Sequence, residues 1–258
     1  MNTEEEALRF VKHGHEQYLP HVALDCVIFG YHDQQLKILL LRVKGQESWG
    51  LPGGFIQRRE PLTQAAYRIL QDRTSLKDLY LQQFHTFGDT PFRVKETSAK
   101  EFADKYGLEV EEGTWLLERT LSIGYFALVD YSKVTVTTDF FTDAYHWSDI
   151  SELPPLLFDH DDVVEKALSI LRLQIYHQPI GYNLLPEKFT LPEIHVLYET
   201  ILGKELDRRN FPKKLLALGL IKKLDEQRHI GAHRSPFLYQ FDKTNYDKAL
   251  QEGVVHAY

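Results

Sequence analysis

The residues best suited to chemistry lie in a glycine loop and in the helix predicted to follow it. Gly53 and Gly54 form the loop, and the carboxylate of Glu60 comes shortly after it. From Pro61 onward apolar residues recur at helical spacing, and proline is acceptable in a first helical turn. The sequence therefore predicts a helix of about three turns. Carboxylates on one face of such a helix could hold a divalent cation beside the loop.

The run from Trp49 to Phe55, together with the residues after it, resembles the Nudix hydrolase family. Positions that fit the spacing of the family signature are Gly54, Glu60, Arg68, Leu70 and Leu76. The resemblance implies that a working member would carry metal-binding carboxylates at the positions of Ile69, Asp72 and Arg73. In such members these carboxylates hold cations such as Mg²⁺, which polarise a pyrophosphate and help to activate water.

The sequence departs from the family pattern at these metal positions. Ile69 has no carboxylate, Asp72 is a shorter acid, and Arg73 would repel a divalent cation. The closing glycine of the pattern is Ser75. We therefore expect no catalytic residues, no bound metal and no cofactor, and a pocket that binds a ligand without turnover. The alternative is a hydrolase of ADP-ribose or a related nucleoside diphosphate derivative, which would use Mg²⁺ if the altered box retains activity.

Apolar, β-branched runs predict the sheet that would hold this loop and helix. Residues 22–29 and 36–43 predict a hairpin of two strands, and further strands are predicted at 80–87 and 120–129. The glycine loop itself is expected to break regular structure. A charged stretch near 94–113 is interpreted as an insertion with a short helix. The resemblance implies an α+β fold, a Nudix-like α/β/α sandwich with a mixed sheet.

The predicted elements change in character towards the C-terminus. Residues 159–162 predict the capped start of an amphipathic helix, in which His160 is expected to act in capping rather than as a ligand or catalyst. Two prolines and a glycine favour a linker after that helix. The predicted division is an N-terminal extension at 1–20, a Nudix-like effector-sensing domain at 21–177, a linker at 178–190 and a winged-helix DNA-binding domain at 191–258.

The C-terminal part has the element order of a winged helix-turn-helix. Helices are predicted at 191–202 and 209–218, and short strands at 221–224 and 238–241 flank a basic turn. The run beginning at Leu185 resembles the winged-helix half of Nudix-related transcription regulators. That family includes regulators of NAD metabolism, which sense ADP-ribose, and regulators of pentose use, which sense a sugar.

Charge is distributed unevenly, which favours a confined DNA-binding face. The chain has a formal net charge of −7, but residues 204–234 hold nine basic and four acidic residues. A recognition helix needs basic residues at its leading end and an apolar face behind it. The apolar face would be formed by Phe211, Leu215, Leu216 and Leu218. The predicted DNA-binding residues are Lys188, Thr190, Arg208, Arg209, Asn210, Lys213, Lys214, Arg228, His233 and Arg234. For Thr190 a simple helix cap is the favoured interpretation, and an ordinary solvated helix is the alternative for the basic residues.

The resemblance places an effector against the glycine loop and the neighbouring strands. The candidate effector-binding residues are Arg42, Trp49, Gly53, Gly54, Glu60, Phe87, Arg119 and Tyr125. Glu60 and Arg68 are expected to support the loop against the helix, and core packing is an equal alternative for the three aromatic residues. We expect a transcription regulator that binds a double-stranded DNA operator as a homodimer. Its effector would be a pentose or an ADP-ribose-like nucleotide sugar, and a protein-binding adaptor is the weaker alternative.

Composition favours a soluble, cytoplasmic protein with no membrane partner. Cys26 is the single cysteine, so neither a disulfide framework nor a cysteine metal cluster is expected. The N-terminus is acidic where a signal peptide would be basic. No apolar stretch approaches the length of about 18 residues that a membrane span needs.

Overall fold

The computed structural model describes residues 3–45, 47–77, 80–90, 98–175, 181–228 and 235–252. The chain divides into two compact units. The first contains Met1–Phe29, Lys37–Ala127 and Ser132–Ala167, and the second contains Gly30–Leu36, Leu128–Tyr131 and Leu168–Tyr258. Within the described ranges, no helix is both long and apolar enough to cross a membrane.

Helices and strands alternate through most of the chain. The helices are α1 (Glu4–Gln17), α2 (Leu62–Thr74), α3 (Ala99–Tyr106), α4 (His160–Gln174), α5 (Leu191–Leu202), α6 (Asn210–Ala217) and α7 (Lys243–Glu252). The strands are β1 (Tyr18–His32), β2 (Gln35–Val43), β3 (Trp49–Gly50), β4 (Gly53–Gln57), β5 (Tyr80–Phe87), β6 (Leu121–Val129), β7 (Thr142–Asp149), β8 (Ile221–Gln227) and β9 (Phe237–Phe241).

Seven of these strands form one sheet in the order β3-β2-β1-β6-β5, with β4 also paired to β1 and β7 to β2. The glycine loop contributes β4, contrary to the expectation that it breaks regular structure. Leu24 pairs with Gly54 and Asp25 with Gly53 in an antiparallel register. A Cβ atom at Gly53 would lie 2.6 Å from the Leu24 carbonyl oxygen, so only glycine allows this close pairing.

The hairpin between β1 and β2 is tighter than the sequence suggests. Its turn is formed by Asp33 and Gln34, whose φ angles of 49° and 62° are both positive. Two consecutive positive φ angles are typical of the type I′ turn, whose twist matches that of the flanking strands. Both strands therefore extend further towards the turn than the apolar runs at 22–29 and 36–43 predict.

The N-terminal helix packs inside the first unit and is not a separate extension. Ala7 and Val11 of α1 are buried against Phe102 of α3 and against Leu108 and Leu117. The indole nitrogen of Trp115 donates a hydrogen bond of 2.9 Å to the carbonyl oxygen of Val11. The described part of the predicted insertion near 94–113 therefore forms a small core with α1, while residues 91–97 lie outside the described ranges.

The C-terminal helices and strands have the predicted order. Phe211 and Leu215 of α6 are buried, whereas Leu216 and Leu218 are about two-fifths exposed. The apolar face is thus narrower than predicted, because α6 ends at Ala217 and only one side of this short helix is covered. Phe189 pairs with Tyr239 of β9, which places this part of the predicted linker beside the two-stranded β8–β9 sheet.

Replacement of Gly14 by alanine tests the packing of α1. In a free helix Gly→Ala stabilises by about 1 kcal/mol. Here the new Cβ would lie 2.5 Å from Cζ2 of Trp115, so we expect Gly14→Ala to destabilise the protein by about 1–3 kcal/mol in urea denaturation. Lys12→Ala, at an exposed position of the same helix, is the control and should change stability by less than about 0.5 kcal/mol. A stabilising Gly14→Ala would show that α1 does not pack on Trp115.

Candidate functional site

The first unit contains a cavity of about 380 Å³ beside the glycine loop. This volume falls in the range of small-molecule sites, roughly 300–1,000 Å³. Its walls come from β1, the loop, α1, α3 and the start of α4. Polar and charged side chains at its wall belong to Asp25, Arg73, Lys105, Glu118, Thr120, Thr142 and His160. Aromatic side chains at its wall belong to Phe10, Phe55, Phe102, Tyr106, Phe141 and Phe158.

The cavity wall includes a buried hydrogen-bonding group around Asp25 and His160. The hydroxyl of Ser122 donates to Oδ2 of Asp25 at 2.5 Å, and Nε2 of His160 lies 3.6 Å from Oδ1 of the same carboxylate. Nδ1 of His160 accepts the backbone N–H of Leu51 at 3.0 Å. An accepting Nδ1 places the proton of the neutral ring on Nε2, facing Asp25. Asp25 and His160 thus offer an acceptor and a donor side by side, which suits a ligand hydroxyl.

Six aromatic residues also line the cavity, and several of their rings contact one another. Phe10 of α1 lies 6.1 Å from the ring of Phe55, and Tyr106 lies edge-on to Phe141 at 5.2 Å. Burial raises the pKa of Tyr106 to about 12, so its hydroxyl is neutral at physiological pH. Aromatic faces together with hydrogen-bonding side chains suit a sugar or a nucleobase, because the ring faces can cover an apolar surface while the polar groups bind hydroxyl or amino groups.

The three positions at which the resemblance places metal ligands have other roles in this structure. Ile69 is 4% exposed, and its side chain lies 3.2 Å from the position of a Cβ at Gly54. The side chain of Asp72 is 66% exposed, with Oδ2 4.0 Å from Arg68. Arg73 donates a hydrogen bond of 2.6 Å to Asp139. In the described part of the chain, no group of three His, Cys, Asp or Glu residues is arranged to hold a metal ion.

Glu60 and Arg68 form a clamp beneath the glycine loop. Arg68 donates two parallel hydrogen bonds of 2.8 Å to the carboxylate of Glu60 and a third of 2.9 Å to the carbonyl of Phe55. The backbone N–H of Gln57 also donates to Glu60, at 3.1 Å. The hydrogen bond from Arg68 is the main cause that lowers the pKa of Glu60, and the same pairing raises the pKa of Arg68. The geometry supports the expected structural role.

Of the eight candidate effector residues, two line the cavity, Gly53 and Gly54. Arg42 pairs with Asp143 at 2.9 Å and lies over the ring of Trp49 at 5.8 Å. Arg119 donates to the carbonyl of Gly88 at 3.1 Å. The residues that the structure does not place around this cavity are Arg42, Trp49, Glu60, Phe87, Arg119 and Tyr125. The side chains of Phe87 and Tyr125 are buried, as the core-packing alternative anticipates.

The sequence interpretation missed the cavity residues outside the glycine loop. Asp25 gave a usable signal, because a carboxylate within an apolar strand needs a buried partner. His160 was expected to act in capping, but its ring lies 4% exposed at the cavity wall. For Lys105 and Phe10 no local signal existed, because both reach the cavity only through the packing of α1 and α3.

The leading end of α6 presents the predicted basic residues. Arg208, Arg209 and Lys213 are exposed and form no ion pair in the part of the chain that the structure describes. Lys214 is also exposed. The helix start is capped by Asp207, whose Oδ1 accepts the backbone N–H groups of Arg209 and Asn210 at 2.8 and 3.0 Å. Sequence reasoning missed this cap.

Other predicted DNA-binding side chains form hydrogen bonds or ion pairs with residues of the second unit. Asn210 donates its side-chain amide to Asp207 at 2.8 Å, and Lys188 binds both carboxylate oxygens of Glu226 at 2.7 and 2.8 Å. Arg228 pairs with Glu193. Thr190 caps α5 in a reciprocal capping box with the same Glu193, as its favoured interpretation predicts. His233 and Arg234 lie outside the described residues.

Comparison with known proteins identifies both parts of the chain. Residues 19–167 match the NUDIX domain. The chain belongs to the Nudix family. Residues 181–241 match the NrtR DNA-binding winged helix domain. The α+β prediction is therefore confirmed, with a Nudix fold followed by a C-terminal winged helix.

Similar proteins include a repressor and two solved structures. The ADPR responsive transcriptional repressor NtrR of Acinetobacter baylyi is 28% identical over 235 residues, which cover 88% of this chain and 84% of the repressor. Shewanella oneidensis NrtR, crystallised with a 27mer DNA, is 26% identical with a TM-score of 0.67 over 88% of this chain and 95% of that chain. A MutT/nudix family protein from Enterococcus faecalis is 19% identical with a TM-score of 0.62, over 94% of this chain and 100% of that chain, and shows the fold alone.

Glu60→Gln tests the clamp beneath the glycine loop. Glutamine keeps the shape but loses the charge-assisted hydrogen bonds, so we expect a loss of about 1–3 kcal/mol at pH 7 in chemical denaturation. Because the pKa of Glu60 is lowered in the folded state, this stabilisation is present above the ordinary pKa of 4.5 and is lost as pH falls through the lowered value. The difference between wild type and variant should therefore shrink in acid.

The control for the clamp is Asp72→Asn, which alters the exposed partner of the same arginine. Exposed ion pairs contribute little, so its effect should stay below about 0.5 kcal/mol at every pH. Equal effects of Glu60→Gln and Asp72→Asn would contradict the clamp.

Proposed function

We propose that this protein is a ligand-responsive transcription regulator whose Nudix domain binds ADP-ribose or a similar sugar compound without hydrolysing it. The observation that carries the proposal is the role of α2 residues at the positions where a Nudix enzyme would carry metal ligands. Ile69 fills the space beside Gly54, and the cation of Arg73 is paired with Asp139. These residues do not fit a divalent cation, since such a site needs several oxygen ligands. The proposal accordingly includes no metal and no other cofactor.

The cavity supports binding of a sugar-containing ligand. Asp25 and His160 can accept and donate to a hydroxyl group, and the aromatic walls can cover a ring. The Acinetobacter repressor is named as ADPR responsive, which favours ADP-ribose as the first ligand to test. A pentose could also bind to Asp25 and His160 through its hydroxyl groups, but it would leave the rest of the cavity unfilled. It is therefore the second ligand to test.

The second unit supports binding of duplex DNA. The exposed cations at the start of α6 fit an approach to a major groove, where arginine can bond to guanine and lysine to phosphate. The similar Shewanella protein was crystallised with DNA. A single winged-helix domain buries little surface against DNA, so we propose that two copies of the protein bind a nearly palindromic operator.

The DNA assignment predicts different results for arginine and lysine variants. Operators are first selected from random duplexes with the full chain. Arg208→Ala or Arg209→Ala should relax sequence choice and lower operator affinity by about 1–3 kcal/mol, while Lys213→Ala should weaken binding to all duplexes and reduce the salt slope by about 1. Lys166→Ala, which removes an exposed cation of α4, is the control and should bind as wild type does. Unchanged affinity in all three variants, Arg208→Ala, Arg209→Ala and Lys213→Ala, would show that another element contacts the DNA bases.

The regulator assignment predicts linkage between effector and operator. ADP-ribose and, separately, D-ribose and L-arabinose are titrated calorimetrically with and without the selected operator. The active ligand should change operator affinity by about 1–3 kcal/mol, and its own affinity should change by the same factor when operator is present. Binding of a ligand with no change in operator affinity would refute ligand-responsive regulation. If neither wild type nor Lys166→Ala binds any duplex DNA, a protein-binding adaptor is favoured instead.

A further inference from the structure

Among the described residues, each charged group around the cavity but one has a hydrogen-bonding or ion-pair partner within the protein. Arg73 is paired with Asp139 at 2.6 Å, and Glu118 lies 3.3 Å from Nε2 of His21. Asp25 accepts from Ser122. Lys105 lines the same cavity from α3 and forms no ion pair with any carboxylate in the part of the chain that the structure describes.

The ammonium of Lys105 is held in an apolar setting. Its Nζ lies 5.1 Å from the ring centroid of Tyr106, and Phe102 and Phe141 line the cavity with it. Burial is the cause that lowers the pKa of Lys105 below its ordinary value. A partly buried cation without a counter-charge costs free energy unless a ligand supplies the missing charge. Its placement at a cavity wall therefore points to an anionic ligand.

We propose that Lys105 binds the phosphate or diphosphate group of the effector and supplies the positive charge that a metal ion supplies in a working Nudix enzyme. The inference rests on the proposed function, and it adds the residue that binds the anionic part of the ligand, which requires the ligand to be phosphorylated and excludes a free pentose. Asp25 and His160 then bind hydroxyl groups of the same ligand, while the cation on α3 binds its anionic part. Arg73 adds positive potential but stays paired with Asp139.

The test measures binding and stability of the full chain in the presence of EDTA. The variants are Lys105→Met, which keeps the length and removes the charge, and Lys105→Arg, which keeps the charge. Lys100→Met, at an exposed position of the same helix, is the matched control. Each protein is titrated with ADP-ribose, with and without inorganic pyrophosphate as competitor, and separately with D-ribose and L-arabinose, and each is melted without ligand.

We expect Lys105→Met to bind ADP-ribose about 10- to 100-fold more weakly, as for loss of a charge-assisted hydrogen bond. Lys105→Arg should bind ADP-ribose only a few-fold more weakly than wild type, and Lys100→Met should bind it as tightly as wild type does. Pyrophosphate should compete with ADP-ribose in wild type and Lys105→Arg but not in Lys105→Met. Without ligand, Lys105→Met should melt at the same or a higher temperature than wild type, because it removes an uncompensated buried charge. A purely structural role for Lys105 would lower the melting temperature instead.

The remaining outcomes separate this inference from the proposed function. Tight binding of ADP-ribose by wild type and Lys105→Met alike overturns the role of Lys105 and leaves the sensor intact. Binding of D-ribose or L-arabinose but of no phosphorylated ligand also overturns it, and supports the sugar form of the sensor. Binding of none of these ligands by wild type overturns both.

Discussion

The glycine loop is packed between the backbone of β1 and the side chain of Ile69, and this close contact positions the rest of the site. A Cβ atom at Gly53 would lie 2.6 Å from the Leu24 carbonyl, and one at Gly54 would lie 3.2 Å from Ile69. The pairing of Gly53 with Asp25 brings a carboxylate to the cavity wall. The loop also aims the N–H of Leu51 at His160, which fixes the proton of that ring towards Asp25.

The same contact explains how the loop keeps its place with an isoleucine at position 69. An apolar side chain at position 69 fills the space against the loop, and the Glu60–Arg68 clamp holds the loop from the other side. Neither contact requires a metal ion. The positive charge in the cavity comes instead from Lys105 and Arg73, which are covalently part of the chain. The proposed function assigns this site to retention of an anionic ligand rather than to its hydrolysis, since metal-assisted hydrolysis needs a cation that polarises the diphosphate and activates water.

Local patterns in the sequence were sufficient for the elements with strong periodicity. The apolar spacing after Pro61 predicted α2, and the apolar runs at 22–29 and 36–43 predicted β1 and β2, because each of these elements carries its own hydrophobic pattern. β4 and β7 lack such a pattern: glycines open the first, and polar residues dominate the second. Both form because β1 and β2 offer backbone partners, and this depends on tertiary pairing.

The cavity was less predictable than the fold for a related reason. The acidic start of α4 resembles a helix cap so closely that His160 was assigned to capping, although its ring faces Asp25. Lys105 lies in the insertion, and only the packing of α3 against α1 brings it to the glycine loop. Contacts between segments so distant in sequence leave no periodic signal. The basic residues at the start of α6 were easier to predict from the sequence, because they lie close together in it and are exposed.

We propose that this Nudix pocket holds its ligand intact and without a metal ion. The most direct test is calorimetric titration of ADP-ribose into the full chain with EDTA and, in parallel, with Mg²⁺, followed by ³¹P NMR of the recovered ligand. The account predicts the same dissociation constant under both conditions and an unchanged diphosphate spectrum after prolonged incubation. Binding that requires Mg²⁺, or release of phosphate monoesters at an enzymatic rate of about 1 s⁻¹ or faster, would contradict it.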